Sequence, residues 1–170
     1  MAEIWDLFDA ERQDMHRTMQ RGEPVPAGAH HLVVDIWTLT PDGRFLLTQR
    51  APGKSHAGMW ECTGGSVQAG ESSLEGALRE LEEETGLHAE ADKLELLHSV
   101  RVLERFVDTY LHRAEVDLSR LRLQDCEVCD AKLVSFAELC ELFESGTAMP
   151  RARFPLYRHL LARAAGIEIE

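Results

Sequence analysis

The chain has 170 residues and a formal net charge of −12, with 44% apolar and 28% charged residues. These values are typical of a single globular domain that buries a substantial core. The acidic balance argues against binding to nucleic-acid polymers or anionic membranes, which depends on an excess of Lys and Arg. No stretch approaches the 18 apolar residues of a membrane span, and the first residues do not resemble a signal peptide, so we expect a cytoplasmic protein.

Residues 1–27 are predicted to form an N-terminal arm that packs on a main domain at residues 28–170. A segment rich in Pro and Gly, RGEPVPAGAH, ends the arm. Ile4, Trp5 and the apolar residues after them indicate a strand that turns back near residues 15–19, and a short helix is an alternative. The same apolar surface suggests a homodimer in which two subunits exchange their arms.

Strands dominate the next part of the chain. HHLVVDIWTL (30–39) is rich in β-branched and aromatic residues and ends at the turn TPDG, so RFLLTQR (44–50) is predicted to return as a hairpin partner. Residues 94–106 and 108–118 predict two further antiparallel strands. The later segment DCEVCDAKLVSF (125–136) is interpreted as a loop.

Three helices are predicted. Ser72 and Glu75 form a capping-box pattern at the start of the first, and Gly86 lies where a left-handed cap ends it. The second and third cover FAELCELFES (136–145) and PLYRHLLARAAG (155–166). Strands, helix, strands and two helices in this order indicate an α/β (α+β) layered domain.

Three glutamates of the first helix converge on one face. Glu80, Glu83 and Glu84 are related as i, i+3 and i+4, whereas Glu82 points away to solvent. Left unpaired, their carboxylates repel one another, and cations that prefer oxygen ligands, such as Mg²⁺ or Mn²⁺, relieve that repulsion. A glutamate-rich turn is more often an ordinary solvated helix face, so three adjacent glutamates alone do not decide between the two interpretations.

Residues around these glutamates fit a ligand site. Glu71 precedes the helix and supplies a further carboxylate, while Gly64 and Gly65 let the backbone approach a ligand closely. Arg79 can fix a neighbouring carboxylate through a bidentate hydrogen bond, and Glu75 stands one turn before it in the favourable order for an ion pair.

The complete spacing across residues 65–87 resembles the Nudix box. It matches at nine positions: Gly65, Glu71, Arg79, Glu80, Leu81, Glu83, Glu84, Gly86 and Leu87. Agreement by chance is on the order of one in a billion at average residue usage. The resemblance implies an α/β/α sandwich around a mixed β-sheet. It also implies a hydrolase in which water attacks phosphorus and cleaves a nucleoside diphosphate linked to another moiety.

The resemblance assigns roles to individual residues. It implies a Mg²⁺ (or Mn²⁺) site with the following ligands: Glu80, Glu83, Glu84, Glu71 and the Gly64 carbonyl. Arg79 is expected to orient a glutamate, and the general base is expected to be Glu83 or Glu127. The small-molecule diphosphate substrate is expected to contact Arg50, Lys54 and Gly65.

Two alternatives remain open from the sequence. The stretch from Arg50 through Lys54 to Trp60, together with the arm, is similar to the branch that includes isopentenyl-diphosphate isomerase. That enzyme lacks the intact acidic box, and its cysteine falls near Gly64 rather than at Cys62. A non-catalytic nucleotide-binding module commonly loses box glutamates, none of which is lost here. No signature in residues 88–115 identifies the substrate.

Other reactive residue types have simpler interpretations. Cys126 and Cys129 have the CxxC spacing, but no second ligand pair accompanies them, so we expect them to be buried and inert. One of His30 and His31 is expected to face the core rather than bind metal. Trp60 is expected to pack in the core beneath the glycine loop.

Overall fold

The computed structural model describes residues 2–168. Within them, an N-terminal antiparallel hairpin of β1 (Ile4–Phe8) and β2 (Asp14–Gln20) precedes a layered domain. The described part of that domain has an eight-stranded mixed sheet: β3 (His31–Leu39), β4 (Phe45–Arg50), β5 (Trp60–Glu61), β6 (Thr63–Ser66), β7 (Leu94–Val102), β8 (Arg105–Arg113), β9 (Val128–Val134) and β10 (Ala148–Met149). Its α-helices are α1 (Ser73–Thr85), α2 (Phe136–Glu144) and α3 (Phe154–Ala164).

Helix α1 begins and ends as the sequence predicts. The Ser72 hydroxyl accepts from the backbone N–H of Glu75, whose side chain accepts from the Ser72 N–H, so both halves of the capping box are present. Gly86 ends the helix at φ 71°, a left-handed conformation that glycine adopts without a steric penalty. These two ends fix the helical register on which the glutamate face depends.

Strand β3 is the centre of the larger sheet. It pairs in parallel with β8 along its full length, from His31–Arg105 to Leu39–Arg113. Its other edge is shared, since β6 pairs with residues 33–36 and β4 joins only at Leu39. The glycine-containing strand β6 therefore lies directly beside the most buried strand of the domain.

The two faces of the sheet pack against different helices. On one face, Val34 and Ile36 pack with Ala77 and Leu81 of α1. On the other face, Trp37 and further side chains of the sheet pack with α2 and α3. Side chains alternate between the two faces because successive residues of a strand point in opposite directions. The predicted α/β/α sandwich around a mixed sheet is confirmed.

The arm is a hairpin, not a helix, and it is tied to the domain by backbone and side-chain bonds. Phe8 and His30 exchange two backbone hydrogen bonds of 2.8 Å, and the Ala69 N–H donates to the Ile4 carbonyl at 2.8 Å. Arg12 forms a two-pronged ion pair with the buried carboxylate of Asp108, at 2.8 and 2.5 Å. The hairpin is thus held against β3 and β8 at several separate points.

One strand prediction was wrong, and another holds only in part. Residues 128–134, interpreted as a loop, form β9 and pair with β4 from Phe45–Val134 to Arg50–Val128. The predicted hairpin of β3 and β4 is closed only at Leu39–Phe45, because β9 and β5 take the edges of β4. The segment DCEVCDAKLV lacks a clear alternation of apolar and polar residues, and within β9 the two exposed residues, Cys129 and Asp130, are neighbours.

Candidate active site

The glycine strand β6 brings the backbone directly beneath the glutamates of α1. The Glu80 carboxylate lies over Gly65 so closely that a side chain there would overlap it. A side chain at Gly64 would overlap the Val34 carbonyl of the neighbouring strand. The pair of glycines is therefore required by two separate close approaches, one to strand β3 and one to the acidic helix.

Arg79 is the hub of the acidic cluster. Its Nε and Nη2 donate to the two carboxylate oxygens of Glu71 at 2.7 and 3.0 Å. Its Nη1 donates to Glu80 at 2.8 Å and to Glu83 at 3.1 Å. Burial opposes the charge of Arg79, but the hydrogen bonds with Glu71 and Glu80 outweigh it and raise the Arg79 pKa. The predicted bidentate contact of Arg79 thus goes to Glu71.

Glu75 does not pair with Arg79, which corrects the ion pair predicted from their i, i+4 spacing. The Glu75 carboxylate accepts instead from the Ser72 N–H in the capping box, at 2.7 Å. Spacing places the two side chains in range of each other, but a better-placed local donor takes the carboxylate. Glu82, as predicted, is exposed, and it faces His88 at 3.4 Å.

Glu84 is buried, in contrast to Glu83 one residue before it. One Glu84 oxygen accepts from the Gly64 N–H at 3.2 Å, and the side chain makes no ion pair within residues 2–168. Burial, followed by the charges of Glu61 and Glu80, raises the Glu84 pKa to about 8. Burial likewise raises the Glu80 pKa, although Arg79 partly opposes this. The chain therefore carries buried carboxylates whose ionisation its own cations do not fully compensate.

A divalent cation fits this donor set, although the side chains are not gathered around one point. Among residues 2–168, no three acidic, His or Cys side chains are grouped closely enough to hold a metal ion. The reason is Arg79, which draws Glu71, Glu80 and Glu83 toward its guanidinium. The donors are nevertheless all oxygens, and the buried Glu84 carboxylate lacks a contacting cation, which is the chemistry that Mg²⁺ or Mn²⁺ suits.

The glutamates line a cleft of about 480 Å³ that also contains basic residues. Arg50 and Lys54 line it, but each is engaged within the chain. Arg50 holds both carboxylate oxygens of Glu61 at 2.7 and 2.8 Å. Lys54 forms an ion pair with Glu127. Burial, then the charges of Arg50 and Arg21, lowers the Lys54 pKa.

Every predicted site residue except Glu71 and Arg79 lines this cleft. The lining members are Arg50, Lys54, Gly64, Gly65, Glu80, Glu83, Glu84 and Glu127. Glu71 and Arg79 stand behind them as a pair on the N-terminal side of the helix. The structure thus brings the two groups into contact through Arg79, whose bonds to Glu80 and Glu83 connect the pair to the cleft.

Sequence reasoning missed two charged pairs beside the cleft. Glu61 lies half-buried between Arg50 and Glu84, where its charge contributes to the raised Glu84 pKa. Asp35 is buried on β3 and accepts from Arg153 at 2.8 and 2.9 Å. Asp35 had a detectable signal, since it is a lone charge inside the apolar run HHLVVDIWTL. Glu61 had none, because a single glutamate beside a tryptophan is an ordinary surface pattern.

The remaining sequence interpretations have mixed outcomes. Cys126 and Cys129 are free thiols, but both are exposed, so the expectation that they are buried was wrong. Both His30 and His31 are buried, where only one was expected to face the core. Trp60 packs partly against the sheet-and-helix core and carries Lys132 over its ring at 4.0 Å.

Comparison with known proteins identifies the family. The NUDIX domain family model matches residues 29–158. The chain belongs to the Nudix family. A Nudix hydrolase of Listeria monocytogenes is 33% identical over 150 residues, which is 87% of this chain and 89% of that protein. This membership makes the chain a hydrolase that acts on acid anhydrides, as the resemblance implied.

Two further similarities differ in what they cover. A CTP pyrophosphohydrolase of Escherichia coli K12 is 38% identical over 71 residues, which is 42% of this chain and 51% of that protein. The crystal structure of DR0079 from Deinococcus radiodurans superposes with a TM-score of 0.73 at 22% identity, covering 95% of this chain and 98% of that one. The second similarity covers more of this chain than the family model does. No helix among the described residues is long and apolar enough to cross a membrane.

Proposed function

We propose that this Nudix hydrolase is Mg²⁺-dependent and cleaves the diphosphate bond of a nucleoside diphosphate derivative by attack of water on phosphorus. Mn²⁺ is the alternative cation. The observation that carries the proposal is one cleft lined both by the carboxylates of Glu80, Glu83 and Glu84 and by the basic side chains of Arg50 and Lys54. A phosphate chain with bound cations is complementary to both sides, because the cations meet the carboxylates and the phosphate oxygens meet the basic side chains. A neutral ligand is complementary to neither.

The metal ligands in this proposal are Glu80, Glu83, Glu84, Glu71 and the Gly64 carbonyl. Divalent cations held there would neutralise the diphosphate, polarise phosphorus and acidify a bound water. Glu84 supplies the buried part of the donor set, Glu80 a half-buried part and Glu83 the exposed part. Glu71 binds Arg79 with both oxygens, so it contributes to the metal only if that contact opens.

The other residues position the substrate. Arg79 holds the carboxylates of Glu80 and Glu83 on one side of the helix through contacts of 2.8 and 3.1 Å. Lys54 and Arg50 donate to phosphate oxygens, for which they exchange part of their contacts with Glu127 and Glu61. Gly65 leaves the space in which the Glu80 carboxylate and a phosphate group meet beside the backbone.

Two carboxylates are candidates for the general base. Glu83 is the more exposed one, and its contact with Arg79 is at 3.1 Å. Glu127 precedes β9 and is paired with Lys54 at the cleft. Each lines the cleft, where a carboxylate can accept a proton from an attacking water. The pH profiles of Glu83→Gln and Glu127→Gln distinguish them, because loss of the base removes the acidic limb of the profile.

The two alternative functions have less support. Cys62 is buried, and burial raises its thiol pKa well above its ordinary value, so it is a poor proton donor or acceptor for an isomerase at neutral pH. All four box glutamates are retained in the sequence, and Glu80, Glu83 and Glu84 line the cleft, contrary to the pattern expected of a non-catalytic module. The similarity to a CTP pyrophosphohydrolase supports nucleotides, CTP included, as the first compounds to assay.

The test is a Mg²⁺-dependent screen for phosphate or nucleotide release across nucleoside di- and triphosphates, nucleotide sugars, dinucleotides and isoprenoid diphosphates. On the best substrate, Glu83→Gln should lower kcat about 100-fold or more while the thermal midpoint stays near that of the wild type. Glu82→Gln, an exposed change on the same helical turn, is the matched control and should leave kcat unchanged. Turnover of Glu83→Gln near the wild-type rate would refute the assignment of the metal site. Rearrangement of isopentenyl diphosphate without phosphate release would favour the isomerase.

The proposal also covers location and assembly. We propose a cytoplasmic protein that acts on a small molecule and binds no nucleic-acid polymer. The argument for a homodimer with exchanged arms is weaker than the sequence suggested. It depends on exposed apolar surface, but Leu7 is fully buried and Trp5 half-buried within the same chain. Light scattering at assay concentrations decides between monomer and dimer.

A further inference from the structure

The N-terminal hairpin forms one wall of the catalytic cleft, although it lies outside the matched family region. The family model begins at residue 29. The cleft nevertheless has six lining residues that precede it: Glu3, Trp5, Arg21, Gly22, Glu23 and Val25. This wall is therefore formed by residues that precede the matched family region.

Glu3 holds the two most distinctive side chains of this wall. One of its carboxylate oxygens accepts from the Trp5 indole N–H at 3.3 Å, and the other accepts from the Arg21 guanidinium at 2.5 Å. The Arg21 backbone N–H also donates to the Glu3 carbonyl at 2.9 Å. An aromatic ring and a guanidinium are thus held side by side on a single carboxylate.

Trp5 is supported from behind. Its ring stacks on the His31 imidazole with centroids 4.4 Å apart and the planes 12° from parallel. His31 is buried on β3, whereas the Trp5 side chain is half-buried and lines the cleft. Because the hairpin is bonded to the domain at Phe8, Ile4 and Arg12, the ring is a fixed platform rather than part of a loose arm.

Arg21 lies on the phosphate side of the same wall. It lines the cleft together with Lys54, and Glu3 lines it together with Glu80. The Arg21 side chain is about half exposed, and its ion pair with Glu3 is correspondingly easy to exchange for a phosphate. A flat ring and a phosphate donor next to a metal-binding helix match a nucleoside phosphate.

We propose that the hairpin is the specificity element of this enzyme: Trp5 stacks on the nucleobase of the substrate, and Arg21 binds the phosphate next to that nucleoside. The assignment rests on the proposed function for the reaction but concerns binding alone. Stacking on a tryptophan accepts every base because each has a π-face, so the hairpin selects nucleotides over other diphosphates rather than one base over another.

Binding of non-hydrolysable ligands tests this without relying on turnover. In Mg²⁺, isothermal titration calorimetry compares α,β-methylene analogues of ADP, GDP, CDP and UDP with methylenediphosphonate, which has no base. Trp5→Leu should raise the Kd of the nucleotide analogues about tenfold and leave that of methylenediphosphonate within about twofold. Arg21→Gln should weaken both ligand classes, and Arg17→Gln, an exposed change on β2, should weaken neither.

The outcomes separate this inference from the proposed function. Equal weakening of both ligand classes by Trp5→Leu, no weakening, or no binding of any nucleotide analogue to the wild type overturns the role of the hairpin. If Trp5→Leu does not fold, Trp5→Phe, which keeps an aromatic ring, replaces it in the test. This variant should weaken the binding of the nucleotide analogues but not that of methylenediphosphonate. Binding that depends on Trp5, without hydrolysis of any nucleotide, would instead contradict the proposed function and leave the inference standing.

Discussion

Replacing Glu84 with glutamine should stabilise the metal-free protein at alkaline pH. Burial, then the charges of Glu61 and Glu80, raises the Glu84 pKa from an ordinary 4.5 to about 8. Between these two values the unfolded chain is ionised at this position while the folded chain holds the proton. The stabilising contribution of Glu84 is therefore complete below pH 4.5 and is lost as the pH rises through 8.

The size of the effect follows from the same two values. A pKa difference of about 3.5 corresponds to about 5 kcal/mol of unfolding free energy, an upper value that is reached only above pH 8. The side chain introduced by Glu84→Gln does not titrate, and it keeps an oxygen that can accept from the Gly64 N–H. The free energy of the wild type minus that of the variant should thus fall by about 1.4 kcal/mol per pH unit between pH 5.5 and 7.5.

Urea unfolding followed by tryptophan fluorescence, in EDTA at pH 5.5, 7 and 8.5, measures this difference. At pH 8.5, Mg²⁺ should make the wild type more stable than the variant. The cation binds the ionised glutamate of the folded wild type more tightly than the amide of the variant, so it stabilises the wild type more. Glu82→Gln is the matched control and should follow the wild type at each pH. A Glu84→Gln variant that is less stable than the wild type at pH 8.5 in EDTA would show that the reasoning is wrong.

Two further changes probe the arrangement around Arg79 and Gly65. Gly65→Ala should lower kcat about 100-fold, because the new methyl group displaces the Glu80 carboxylate, whereas Gly53→Ala, with nothing near its side-chain position, should not change the steady-state rate. Arg79→Gln should lower the unfolding free energy in EDTA by about 3 kcal/mol, since three carboxylates lose their partner, and Mg²⁺ should restore part of that loss in the same urea titration. Unchanged stability in EDTA would contradict the role of Arg79 as the hub.

The local features of the acidic helix were predictable from sequence because short-range chemistry determines them. Ser72 and Glu75 cap one end, Gly86 takes a left-handed conformation at the other, and the helical period then fixes which glutamates share a face. The exposed position of Glu82 follows from the same period. None of these features depends on a distant part of the chain.

Features that depend on distant partners were not predictable. The spacing pointed Arg79 toward Glu75, but Glu71 is folded back beside it and binds the guanidinium instead. Residues 128–134 resemble a polar loop because their strand character comes from pairing with β4, which no local pattern records. Glu61 could not be recognised for the same reason: its importance comes from Arg50 and Glu84, which lie on other elements.

The pairing of β3 with β8 also has a consequence for when the cleft can form during folding. Each paired residue of β3 is 74 positions from its partner, and the intervening chain contains both β6 and the acidic helix. Closing so long a loop is entropically unfavourable, whereas β7 and β8 can pair early across a short turn. We therefore expect the acidic helix to form before its cleft exists, so that a nascent chain acquires the proposed binding site only after this long-range pairing has formed.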